Sequence, residues 1–220
     1  MFKKLFNKKI IITFIVTLLI TGLTLTIILV KDKIPLLRQS TTDWAFDVYD
    51  KAKVAGVSHY IFIGEVINEV ETLYDEKGRG AYTIYDVRVI ENIKGELVLD
   101  VVRLRKSGGL SKDKNYYDIL EDDFLPKRGD ICMFYTKATR EDELFIPDGP
   151  NGNNLIYSAK DPAKSISFEV YSKTTEYVEA VKAYENEEYP YDYPKEERVS
   201  KYDVDYAAKK AAIEKNQLTY

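Results

Sequence analysis

His59-Tyr60-Ile61-Phe62-Ile63-Gly64-Glu65-Val66-Ile67-Asn68-Glu69-Val70 is the stretch that decides the fold. Its apolar residues recur with a period of two, the repeat of a strand and not of a helix. Phe62 and Val66 fall on one side, and Ile61, Ile63 and Ile67 on the other, so a strand over residues 59–73 has two apolar faces. Gly64 in its middle marks a sharp bend or a close backbone approach.

Downstream the strand pattern repeats. Residues 75–80 form a turn, and 82–93 a second strand, with Tyr82, Ile84, Arg88 and Ile90 opposed to Tyr85, Val87 and Val89. Lys94-Gly95-Glu96 reverses the chain into a third strand over 97–106. Its apolar side switches near 101–102, which suggests a bulge, and Ser107-Gly108-Gly109 ends it. Residues 110–128 are polar, with one helical turn predicted over 117–124. Residues 130–139 form a strand that is apolar on both faces, hence covered on both. Short strands at 144–146 and 155–157 flank a loop at 147–154, and 166–171 reads as a last strand. Beyond Thr174 the spacing of Tyr177, Val181 and Tyr184 turns helical. An acidic, proline-broken connector over 185–197 leads to a final helix over 199–217, with Val204, Ala207, Ala208, Ala211 and Ala212 as a thin apolar stripe.

Upstream, Thr42 or Asp43 caps a helix running to Ala55, with Trp44, Val48 and Ala52 on one face and Gly56 at its end; an extended segment is the alternative. Residues 10–30 carry no charge. As a helix rising about 1.5 Å per residue they cover a hydrocarbon core of about 30 Å. A cleaved signal peptide would have a shorter apolar region and a small-x-small site, and neither is present. Residues 1–33 carry six Lys and one Asp, a charge of +5; the whole chain is −4, so residues 34–220 carry −9. The Lys residues before the span place the short N-terminus inside and the body outside. An acidic body argues against nucleic acid as the partner.

The organisation expected is therefore a basic cytoplasmic stub (1–9), a single-pass transmembrane helix (10–30), a stalk (31–42), a β-barrel domain (43–171) and a helical, Tyr-rich extension (172–220). Short strands with regular turns suggest a small OB-like Greek-key barrel. The runs "HYIFIGEVINEV", "YTIYDVRVIENIKGEL", "RKSGG" and "LPKRGDICMFYT" resemble an uncharacterised group of bacterial cell-surface proteins with a TIMP-like OB-fold domain. The resemblance covers about residues 60–136 and rests on structural markers: Gly64, Ile93-Lys94-Gly95, Gly108-Gly109 and the 125–129 lead into the fourth strand. It implies the fold. Animal TIMP inhibitors chelate a protease zinc through a free N-terminal Cys, and nothing here matches that.

No catalytic, cofactor-binding or metal-ligating constellation is present. His59, the single His, stands at the mouth of a strand without a companion nucleophile and reads as structural. Cys132, the single Cys, is flanked by Ile131, Met133 and Phe134 and reads as core. Residues 148–154 carry oxygen ligands at alternate positions but lack the closing Glu of an EF-hand, so a turn is the better reading. Gly78-Arg79-Gly80 and Gly108-Gly109 lack the strand–loop–helix context of a phosphate cradle. Tyr189-Pro190-Tyr191-Asp192-Tyr193-Pro194 suits either a binding segment or a connector packed back on the barrel. These features point to a membrane-anchored, extracytoplasmic binding or interaction module of unknown ligand, not an enzyme. The partners to consider are a protein or a cell-wall saccharide, bound on the second and third strands around residues 82–106. A structural subunit of a cell-envelope complex is the alternative, and a carboxylate-based hydrolase a third reading.

Overall fold

Helix α1 (Phe2–Lys31) comes first in the computed structural model, which describes residues 2–31, 35–75 and 80–217. It is followed by β1 (Leu36–Ser40), α2 (Lys51–Val57), β2 (Tyr60–Tyr74), β3 (Ala81–Lys94), β4 (Val101–Ser107), β5 (Gly109–Leu110), β6 (Tyr116–Leu120), β7 (Ile131–Ala138), β8 (Leu144–Ile146), β9 (Asn153–Tyr157), α3 (Phe168–Tyr171), α4 (Thr175–Glu185) and α5 (Tyr206–Gln217). The chain is mainly β. Residues 76–79 of the expected 75–80 turn, and with them part of Gly78-Arg79-Gly80, lie outside the described residues.

One strand organises the rest. β2 pairs antiparallel with β3 from Ile61 to Tyr74 and, over Tyr60 to Glu65, antiparallel with β7 on its other side. β3 pairs with β4, β4 runs parallel to β8, and β8 returns to β7. The strands β2-β3-β4-β8-β7 therefore close into a ring, with β9 added outside β7. A strand shared by two neighbours in a closed ring must curve, and β2 shows four register shifts against β3, one at Ile63/Gly64. A Cβ at Gly64 would lie 2.5 Å from Val87 Cγ1, so only glycine fits the close approach.

The two faces of β2 have the apolar sets read from the sequence. Phe62 and Val66 point inside the ring, among Tyr85, Val87, Leu104 and Phe134. Ile61 and Ile63 point outside, where Ile131, Met133 and Tyr135 of β7 share a second cluster with α2 and α4. Both faces of β7 are buried. Capping fixes where α2 starts: the Asp50 carboxylate accepts from Ala52 N at 2.9 Å.

Several elements differ from the sequence reading, each for a tertiary reason. The expected helix over 43–55 is only α2, with Gly56 inside it, because residues 48–49 are held instead by Asn151, whose Nδ2 donates to Val48 O and Tyr49 O at 3.0 Å. Residues 36–40, read as stalk, form β1 in parallel register with β6, and that pairing takes 117–120 out of the expected helical turn over 117–124. The third strand begins at Val101: Leu97 instead bridges to Asp203, and β4 alternates without a bulge. Residues 168–171 form α3, not a strand, with Tyr171 buried beside Tyr177. In α5 the alanine stripe faces out, and the helix docks through Tyr206, Lys209 and Lys210.

Among the described residues no helix is long and apolar enough to cross a membrane. The expected span of 10–30 includes residues 11 and 26–30, whose side chains lie outside the described set. The described apolar side chains of α1 are exposed all round the helix, Phe14 at 70%.

The parity of β4 sends Lys106 inward beside Val102 and Leu104. Its Nζ meets Asp123 Oδ2 at 2.7 Å, with the two side chains 0% and 2% exposed. Asp123 also accepts from Phe124 N at 2.7 Å and Gly149 N at 3.2 Å. Burial raises the Asp123 carboxyl above its ordinary value, against the pull of Lys106 and the two amides. The pair pins the segment after β6 against the ring. Asp123→Asn leaves a buried ammonium without its counter-charge and is expected to cost about 3–5 kcal/mol in denaturant unfolding. Adding Lys106→Met to that variant is expected to restore most of the loss.

Candidate functional site

At the end of the ring where β3 stops, strand ends, α2 and the segment after α4 enclose a cleft of about 550 Å³, lined among others by His59, Tyr60, Lys94, Lys137, Tyr189 and Arg198. A wider groove of about 1110 Å³ adjoins it and shares residues 195–199 and Ile213, with Arg140, Asp142 and Lys210 on its far wall.

His59 sits between α2 and β2 and is half-buried. Ala138 N lies 3.0 Å from Nδ1, and Nε2 lies 3.0 Å from Glu196 O. A peptide N–H can only donate, so Nδ1 accepts; the proton sits on Nε2 and is donated to the carbonyl. The imidazole is thus held neutral. Burial lowers its pKa first, and the charges of Lys137, Lys94 and Arg198 lower it further, against the Glu196 carbonyl. His59 is a clamp that joins the end of β7 to the segment 187–199, which crosses the mouth of the ring as a strap.

Further contacts hold that strap and the residues just after it. Glu188 N donates to Ala52 O at 3.1 Å, and a Cβ at Gly56 would lie 2.2 Å from Glu188 O, so the strap passes flush over α2 only because residue 56 is glycine. Tyr60 Oη donates to Asp203 Oδ2 at 2.7 Å and accepts from Ser200 N at 2.8 Å. Asp203 in turn pairs with Lys209 at 2.6 Å. Burial above all, then the bond to Asp203, raises the Tyr60 phenol far above its ordinary value, so it stays a neutral donor.

Lysines close the walls. Lys94 Nζ donates to Ala55 O at 2.8 Å, a carbonyl at the C-terminal end of α2, and pairs with Glu187. Lys137 Nζ donates to Tyr193 Oη at 2.7 Å. Tyr193 packs edge-on to Phe46, and Tyr189 Oη donates to Pro194 O at 2.6 Å. The Tyr-rich segment is therefore a connector packed back on the body, with Tyr191 alone fully exposed.

The other sequence candidates lie elsewhere. Cys132 is inside the ring, and burial pushes its thiol well up, so it is not a thiolate. The 148–154 loop spends Asn151 on residues 48–49 and Asn154 on Pro150 O, so these amides serve as struts. Around residues 82–106 the outward arginines are engaged: Arg88 with Glu65, Arg103 with Asp86, and Arg105 over the Tyr82 ring at 5.3 Å. Lys94 and Lys137 were not legible as site residues, because they converge only when strand ends and strap meet.

Two outcomes follow from the clamp. The fold holds His59 below its ordinary 6.5, so its contribution is complete above that pH and is lost as pH falls from there through the folded value. Amide protection factors in 187–199 and at Ala138, corrected for the intrinsic pH dependence of exchange, are expected to fall on acidification, and His59→Gln, which can both accept and donate, is expected to flatten that response. Gly56→Ala is expected to raise exchange in 187–199 at all pH values by displacing Glu188, while leaving β2 and β7 protected. No family model, curated protein or solved structure matches this chain, so its function is argued from this geometry.

Proposed function

We propose that this chain is a membrane-anchored, extracytoplasmic binding module: α1 spans a bilayer, the ring is an OB-like barrel, and the cleft at its Lys94 end takes a polar cell-wall saccharide. In support of the anchor, residues 12–25 of α1 carry no charge and have apolar side chains on every side, a pattern that suits lipid and not one buried stripe. Thr17, Thr21 and Thr24 are satisfied within the helix, with Thr17 donating to Thr13 O, Thr21 to Thr17 O and Thr24 to Ile20 O, each at 2.9 Å. In support of an OB-like barrel, the five ring strands follow a Greek-key order in which the third and fifth run parallel.

The observation that carries the binding reading is the state of the cleft's polar groups. His59 has both ring nitrogens committed to backbone partners, which leaves no free lone pair for proton transfer. Five basic and four acidic side chains line the cleft, so its charge nearly cancels. Such a wall favours a ligand rich in hydroxyls and amides over a polyanion, and Tyr189 offers it a ring face. The volume is that of a small-molecule or oligosaccharide site.

Calorimetry of the full chain in detergent with soluble cell-wall glycan fragments tests this. Binding is expected, and Tyr189→Ala and Lys137→Ala are each expected to weaken it about tenfold, or about 1.4 kcal/mol. No binding to any fragment, or binding indifferent to both substitutions, overturns the reading.

A further inference from the structure

We infer that the small sheet β1-β6-β5, with the turn 111–115, rests on the headgroup layer of the membrane that holds α1. This rests on the reading of α1 as a membrane anchor.

The tether carries the argument. Four residues separate Lys31, the end of α1, from Leu36, the start of β1, so Leu36 lies at most roughly 18 Å from the helix end. β1 is not a loose stalk. All five of its residues are in register with β6, and Leu36 N donates to Asn115 O at 2.9 Å. Arg38 locks the pairing with a two-pronged contact to Asp118, Nε to Oδ1 at 2.5 Å and Nη2 to Oδ2 at 2.8 Å. The chain leaving the bilayer therefore lands directly on the folded body, beside the turn that precedes β6.

What that face offers fits the interface. Leu36 and Leu37 are 64% and 65% exposed, and as successive strand residues they cover both sides of β1. In the turn, the exposed Asp113 carboxylate accepts from Ser111 Oγ at 2.6 Å and Asn115 Nδ2 at 2.8 Å, and these bonds hold its pKa below the usual range. Lys112 and Lys114 stay on the outside. Leucine, lysine and the part-exposed Tyr116 are the residue types that settle at a bilayer surface. Glu69 of β2 acts on Tyr117 of β6, and Asp113 is exposed in the turn, so charge does not draw this face to anionic lipid; the short tether puts it there.

The cleft lies at the other end. Gly108 N donates to Ala81 O at 2.8 Å and Tyr74 Oη to Leu110 O at 3.0 Å, which fixes the small sheet where β3 begins. β3 has 14 residues, and Lys94 at its far end lines the cleft, roughly 40 Å away along the strand.

The test uses the full chain in phosphatidylcholine vesicles carrying a headgroup-attached quencher, with a fluorophore on Lys112→Cys or, at the cleft end, on Glu141→Cys. Cys132 is fully buried, and the unaltered chain gives its background. Quenching at 112 is expected to exceed that at 141 several-fold, and Leu36→Ser with Leu37→Ser is expected to reduce the difference. Equal quenching at the two positions in a chain that floats with the vesicles overturns this inference and leaves the anchor standing. A chain that does not float overturns both. Label-to-label transfer between chains at 112 that survives dilution in lipid assigns the face to a second copy and overturns the lipid contact.

Discussion

The pairing of β2 with both β3 and β7 is the constraint on which the rest of this structure depends. Over Ile61 to Glu65 the strand has a partner on each edge, so that half is protected from adventitious pairing. It must also bend, and β2 does so through repeated register shifts and a glycine at 64 whose missing side chain lets Val87 close in. Closure gives the strand one face inside the ring and one outside. Since Ile61 and Ile63 make the outer face apolar, it has to be covered, and α2 and α4 are there to do so.

The cover determines the site. α2 must end where β2 begins, so Ser58 and His59 are placed at the mouth of the ring. The strap that follows α4 then has to cross α2 to reach α5, and Gly56 is where it crosses closely. Inside the ring the same geometry has a polar cost. Strict alternation in β4 forces Lys106 inward, and an ammonium there is tolerable only with Asp123 against it. That pair fixes the long excursion between β4 and β7, from which β6 offers β1 an edge.

Much of this could be read from residues. The two-faced alternation of 59–67, the doubly buried 131–135 and the inert Cys132 all follow from local pattern, because burial on a strand depends on parity. Lys106 shares the parity of Val102 and Leu104, but a charge at that position conceals its burial until Asp123, from the segment after β6, is seen beside it. What was illegible has partners distant in sequence. Val48 is buried against Gly149 and clasped by Asn151, so its i, i+4 relation to Trp44 and Ala52 says nothing about a helix. β6 exists because β1 lies beside it, about eighty positions away. α5 carries its alanines outward because its docking is ionic, and no apolar periodicity reports that. The cleft is the extreme case: its walls come from α2, the ends of β2, β3 and β7, and the strap, so no single stretch announces it.

The way the strap is held separates it energetically from the ring. The ring is held by two apolar clusters that include many fully buried side chains, each worth about 1.5–3 kcal/mol in burial. The strap's grip is mostly polar: the His59 bridge, the Tyr60–Asp203 bond, the Glu188 amide and the Lys94–Glu187 pair, with Val199 as its buried apolar residue. Hydrogen bonds contribute a net of about 1 kcal/mol each, because water replaces them on opening. Opening the strap therefore costs less than unfolding the ring, and it exposes little apolar surface. The cleft is thus walled on one side by the stable part of the molecule and on the other by a part that can move independently. Under the proposed binding function, that asymmetry would let a polar ligand enter without loosening the strands around it.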